Sequence, residues 1–156
     1  MPGIKLVRSP RSVYQRLTVE PLVLSEATMH ELEQLVLVYT GQRRLARNLL
    51  REIVGKYILG QPDTLRIMND IQHLALLMRY KLEKGDVDAF IARINRHWVL
   101  SRELDAGTTN TSIEQIICVC EPLIDGSFIA GAGGGGFLQM FLKKGVRKEQ
   151  LSDGAE

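Results

Sequence analysis

The sequence predicts an α+β domain: one antiparallel sheet with helices packed on one face. Two observations lead there. Apolar, β-branched runs that read as strands lie toward both ends of the chain, at 35–40 and within 127–142, and a block of helix-patterned segments fills the space between. A third observation sets the domain count. No internal repeat and no long linker divides the 156 residues, which suffice for one hydrophobic core.

The elements follow in order. "QRLTVEPLVL" is rich in Val, Leu and Thr, and its proline suits an edge strand or a bulge. Ser25 is a side-chain cap for a short helix over "SEATMHELEQ". "LVLVYT" is an unbroken apolar run, expected to be a buried strand that Gly41 ends. "RRLARNLLREIVGKYI" then carries Leu45, Leu49, Ile53 and Tyr57 in one stripe, flanked by Ala46, Leu50, Val54 and Ile58. The next helix has Pro62 at its start, Gly85 past its end, and Ile67, Ile71, Leu74, Met78 and Leu82 along one side. A further helix begins at Asp86 and places Val87, Phe90, Ile91, Ile94 and Trp98 on one face, with Gly107 as its stop. His97 falls one position off that face and is expected at the surface or rim. The last long helix opens on a capping box, Thr111 to Glu114. Two strands, "SFIA" and "FLQMFL", flank a glycine loop. Residues 1–145 are expected to form the domain and 146–156 a polar, fraying tail.

Composition excludes several classes. A net charge of +2 with scattered basic residues makes no case for nucleic acid or an anionic membrane. Cys118 and Cys120 form no disulfide framework, which points to a reducing, cytoplasmic setting. His30, His73 and His97 are isolated, so no metal site is expected. No segment reads as a signal peptide, and the apolar stretch around the glycines is shorter than the roughly 20 residues that span a bilayer.

The glycine loop is the feature that asks for a function. Gly131, Gly133, Gly134, Gly135 and Gly136 fall within six residues. They satisfy GxGxxG, but the dinucleotide fingerprint needs a following helix, a second parallel strand and an acidic residue about 20 positions on. The chain has no room for these. A P-loop needs Lys and then Ser or Thr after its last glycine, whereas Phe137 and Leu138 follow here. A hairpin needs only one or two glycines. Five imply a demanding geometry: an anion nest, a substrate contact, or tight packing against other backbone. The residues alone leave ligand contact and packing both open.

"FIAGAGGGGFLQMFL" resembles the third, C-terminal motif of the GHMP small-molecule kinases. "LVLVYTGQRRLARNLL" is similar to the strand–Thr-Gly–helix segment of the fucokinase and heptose-phosphate kinase branch of that family. "HWVLSRELDAGTTNTSIEQI" resembles that branch's helix, turn and capped helix, in the same order. The resemblance covers most of the chain and is strongest to the end of the fucokinases, including those fused to a guanylyltransferase. It implies a ferredoxin-like C-terminal domain of an ATP- and Mg²⁺-dependent sugar kinase. It also implies that the five glycines, together with Thr40, Gly41 and Arg44, border the substrate and its phosphate. The family's ATP-binding Gly-Leu-Gly-Ser-Ser-Ala-type loop and its catalytic Asp have no counterpart here. The chain is therefore expected to be the C-terminal half of a kinase, inactive alone and without bound ATP. Its expected partners are the N-terminal kinase domain and a sugar, with self-association through the exposed docking face. The alternative is a free-standing α+β module for small-molecule binding or oligomerisation, with the loop as a packing feature. A side chain at Gly135 is expected to obstruct a ligand at a modest folding cost of about 1–3 kcal/mol.

Overall fold

The computed structural model describes residues 3–9, 16–42, 46–131 and 133–153, with the backbone alone at 46–49 and 152–153. The elements in chain order are β1 (Lys5–Arg8), β2 (Thr18–Pro21), α1 (Glu26–Leu32), β3 (Leu35–Tyr39), α2 (Ala46–Ile58), α3 (Pro62–Glu83), α4 (Val87–Leu104), α5 (Thr111–Cys120), β4 (Ile124–Ile129), β5 (Phe137–Leu142) and α6 (Glu149–Asp153). The class is α+β with antiparallel pairing throughout the described strands.

The strands form two sheets rather than one. β1 and β2 pair with each other as a separate ribbon, and β3, β5 and β4 form a three-stranded sheet in that order. The ribbon is tied to the helices by Glu20, which accepts a hydrogen bond from Arg79 of α3.

Side-chain alternation along β5 separates two cores. Leu138, Met140 and Leu142 point to one face and pack with Ile113 and Cys120 of α5, Trp98 of α4, and Ile124 and Ile129 of β4. Phe141 points to the other face and packs with Val87, Ile91 and Ile94 of α4. Helical cover thus extends to part of the second face. The rest of that face is open: Leu37 is 61% exposed, Tyr39 50%, and Phe137 lies beside Tyr39 with ring centroids 5.2 Å apart. β3 is therefore not the fully buried strand its apolar run predicts. It is an edge strand, and α4 covers its second face only near Leu35.

Local signals explain the helix starts. The Ser25 hydroxyl accepts from the Thr28 amide at 3.2 Å, and the Asp86 carboxylate accepts from the Ala89 amide at 3.1 Å. Pro62 occupies the first turn of α3. α5 differs from expectation. Asn110, not Thr111, caps it by accepting from the Ile113 amide at 3.1 Å, while Glu114 accepts from the Thr109 hydroxyl instead of closing a capping box. Past β5 the chain is helical from Glu149 to Asp153, and Val146 and Leu151 pack against the first core. In α2, Leu50, Val54, Tyr57 and Ile58 are exposed, so this domain buries only part of the apolar stripe.

Candidate functional site

Three loops meet at one end of the three-stranded sheet. The first follows β3 and contains Thr40, Gly41 and Gln42. The second runs from α4 to α5 through Thr108, Thr109 and Asn110. The third is the glycine loop between β4 and β5.

Hydrogen bonds lock them together. The amide and hydroxyl of Thr40 both donate to the Gly136 carbonyl, at 2.9 and 3.0 Å. The Gly136 amide donates to the Gln42 carbonyl at 3.0 Å. The Gly134 amide donates to the Thr108 carbonyl at 2.7 Å. The Asn110 carboxamide donates to the Gln42 side chain at 2.9 Å and to the Gly134 carbonyl at 3.2 Å, while its oxygen caps α5. One side chain thus serves as helix cap and as clamp between two loops.

The glycines divide by what surrounds them. At Gly133, with φ +96°, a Cβ would stand 2.7 Å from the Thr108 carbonyl oxygen and 2.8 Å from its Cα. At Gly135 a Cβ would stand 2.9 Å from the Gln42 carbonyl oxygen. These two positions are glycine because neighbouring backbone occupies the side-chain space. Gly135 does not tolerate a side chain at the modest cost expected from the sequence, since the opposing atom is backbone and cannot swing away. At Gly131 and Gly136, with φ +89° and +97°, a Cβ would meet open space. Packing accounts for half of the question, and the open pair remains available to a ligand.

The loop chemistry is that of bare amides. Among the described residues, the N–H groups of Gly131, Gly133 and Gly135 have no hydrogen-bond partner. Such groups in a glycine turn suit the oxygens of an anion. Among the described residues, the side chains that meet at this point, Thr40, Gln42, Thr108, Thr109 and Asn110, are neutral. Thr40 and Gly41 lie at the junction expected of them, and Gly41 has φ +72°. Arg44 lies outside the described residues.

Two further residues were not singled out for this end of the fold. Asp105 is 6% exposed; its Oδ1 accepts from the Gly107 amide at 2.7 Å, and its Oδ2 lies 3.9 Å from Lys56 Nζ of α2. It holds the turn that carries Thr108. The Asp-x-Gly spelling signals the turn, but nothing local signals the burial or Lys56. His97 is half-buried and makes an edge contact with Phe128.

Burial pushes the His97 imidazole below its usual pKa. The unfolded chain takes up this proton from about pH 6.5 downward, and the folded chain resists it to lower pH. The unfolded state then binds more protons, so stability falls as pH drops through that window. Melting temperature is expected to decline between about pH 7.5 and 5.5, and His97→Gln is expected to flatten that decline. An equal slope in the variant contradicts the assignment.

The architecture is that of part of a GHMP-type small-molecule kinase. Over 97% of its length the chain matches 44% of the mevalonate kinase of L. major solved with R-mevalonate, at TM-score 0.78 and 18% identity. Over 88% it matches 38% of a protein from Listeria innocua, at TM-score 0.74 and 15% identity. These likenesses concern the fold.

In sequence the chain is 35% identical, over 96% of its length, to a bifunctional fucokinase/GDP-fucose pyrophosphorylase of Arabidopsis thaliana. It is 32% identical over 69% of its length to an L-fucokinase/L-fucose-1-P guanylyltransferase of Bacteroides fragilis. It is 28% identical over 87% of its length to a D-glycero-α-D-manno-heptose 7-phosphate kinase of Campylobacter jejuni. The chain spans 14%, 11% and 42% of these three proteins. No protein-family model matches it. The chain is homologous to GHMP-family sugar kinases, over a region that makes up less than half of each.

Proposed function

We propose that this chain is the C-terminal half of an ATP-dependent sugar kinase of fucokinase type, with the glycine loop forming one wall of the substrate cleft. Residues 1–145 make up the domain in this reading, and 146–156 are an extension. The observation that carries it is the meeting of three distant sequence segments at one end of the sheet, the same segments whose spelling resembles the kinases.

ATP with Mg²⁺ supplies the phosphoryl group for a sugar hydroxyl in such enzymes, by positioning and charge stabilisation. The roles of this chain follow from its own groups. The amides of Gly131, Gly133 and Gly135 hold phosphate oxygens. Thr40, Gln42 and Asn110 keep the loop rigid, so that little reorganisation is needed as charge develops. Gly136 leaves space beside the strand end, and Gly41 flanks the same cleft. Among the described residues no helix is long and apolar enough to cross a membrane, in keeping with a cytoplasmic enzyme.

The partner in this reading is an N-terminal domain carrying the ATP loop and catalytic base. Leu37, Tyr39 and Phe137, with the exposed stripe of α2, form apolar surface for docking or for self-association. The second reading, a free-standing module, is favoured by the packing roles of Gly133 and Gly135. One preparation separates the two. The chain alone, with ATP, Mg²⁺ and L-fucose, is expected to show no turnover and to associate with rising concentration in sedimentation. Adding the N-terminal kinase segment is expected to produce phosphoryl transfer. Turnover by the chain alone, or none after reconstitution into a folded complex, contradicts the reading.

A further inference from the structure

The three-stranded sheet has two edges, and the fold treats them differently. At the β4 edge, Asn95 of α4 stands where a further strand would. Its carboxamide donates to the Asp125 carbonyl at 2.9 Å and accepts from the Ser127 amide at 3.2 Å. Those bonds occupy the backbone groups that another strand would need there.

The β3 edge has no such cover among the described residues. The Thr40 amide bonds to Gly136, and the Gln34 carbonyl accepts from the Leu142 amide at 3.2 Å. In an antiparallel pair the residues of this parity, Val36 and Val38 included, turn their backbone groups toward β5. Leu35, Leu37 and Tyr39 turn theirs outward, and those N–H and C=O groups have no hydrogen-bond partner among the described residues. No proline or charged residue interrupts β3, so the edge lacks the devices that deter pairing.

The side chains say what fits. Leu35 joins Phe141, Leu32 of α1 and Phe90 of α4 in the second core, whereas Tyr39 and its neighbour Phe137 are bare. A two-fold axis at Leu37 sets Leu35 of each copy opposite the partner's Tyr39, and Val36 opposite the partner's Val38. A helix is about 10 Å across and strands lie about 4.8 Å apart. Helical cover over Leu35 of one copy therefore reaches the next strand, where the partner's Tyr39 needs it. An extended segment without such helices leaves Tyr39 and Phe137 in water, which favours a second copy as the occupant.

We propose that β3 is the dimerisation strand of this chain, two copies pairing antiparallel about Leu37 through the outward backbone groups of Leu35, Leu37 and Tyr39. The contact is isologous and closes at two copies, since Asn95 blocks the opposite edge of each sheet. It gives the self-association named above a register, and it rests on the open edge rather than on the kinase reading.

The test is sedimentation of the whole chain with charges placed at the axis. Wild type is expected to pass from monomer to dimer with rising concentration and to stop there. Leu37→Lys and Leu37→Glu are each expected to weaken dimerisation at least about tenfold, because the axis sets two like charges directly opposite. Leu37 is 61% exposed, so neither change enters a core. An equal mixture of the two variants is expected to recover association, since opposite charges then meet. Hydrogen exchange reads the pairing in wild type and needs no variant. The Leu35, Leu37 and Tyr39 amides are expected to slow as the dimer forms, while those of Val36 and Val38, already bonded to β5, change little. A monomer at every concentration up to about 1 mM overturns the proposal. So does a dimer whose Leu35, Leu37 and Tyr39 amides stay unprotected, a variant mixture that stays monomeric, or growth beyond two copies. Phosphoryl transfer is read separately after reconstitution. Transfer by a chain that never dimerises sinks the pairing and spares the kinase reading, and a dimer with no transfer does the reverse.

Discussion

Gly133→Ala is expected to be the most destabilising single-methyl addition in the glycine loop, lowering the melting temperature by about 10 °C. Two effects add. The backbone at φ +96° is one that alanine adopts at a cost of about 1–2 kcal/mol. The added methyl also stands 2.7–2.8 Å from the backbone of Thr108. To relieve that contact the loop must lift, which breaks the bond from the Gly134 amide to the Thr108 carbonyl and that from Asn110 to the Gly134 carbonyl. The total is about 3 kcal/mol or more, at the upper end for a point substitution. Gly131→Ala has the same backbone strain but open space at its Cβ. It is expected to cost about 1–2 kcal/mol and no more. Thermal melts of the two variants side by side check this. Equal shifts would mean that the close approach to Thr108 is not what holds the loop.

The contrast shows how far the sequence could be read. The five glycines announced a demanding geometry, and five resolve to positive φ in the structure. Nothing in their spelling could tell Gly133 from Gly131, because the difference lies in Thr108, which other parts of the chain bring alongside. Asn110 is a similar case. It stands one residue before the expected helix start, but its bond to Gln42 spans 68 residues of sequence. Helix starts at Ser25, Pro62 and Asp86 were legible because the atoms that make them lie within one turn. The capping box at Thr111 was misplaced by one residue: Asn110 takes the Ile113 amide with its side chain and the Glu114 amide with its carbonyl, so the helix starts one position earlier. β3 shows another limit. An apolar run states that a strand has two greasy faces, not that both are covered, and Leu37 and Tyr39 remain exposed. The same holds for α2, whose apolar stripe is wider than this domain can bury.

The second large effect concerns activity. In a kinase containing this chain and an ATP-binding segment, Gly131→Val is expected to lower kcat/KM for the sugar by at least about 100-fold, the usual penalty for displacing reacting groups by an ångström or for losing an oriented donor. Gly131 is the right position because its side-chain space is open and its amide has no partner among the described residues. The branches of valine would project where phosphate or sugar must come. Its Cβ would meet no other heavy atom within 4 Å, whereas a Cβ at Gly135 would strike Gln42. Loss of fold and loss of chemistry are then separable. The decisive measurement is kcat/KM of folded Gly131→Val enzyme against wild type, with melting temperatures taken on the same preparations. The account predicts the 100-fold loss, with a melting temperature lowered by less than that of Gly133→Ala. A wild-type kcat/KM in the folded variant would contradict it, and would mean that the glycines serve packing alone.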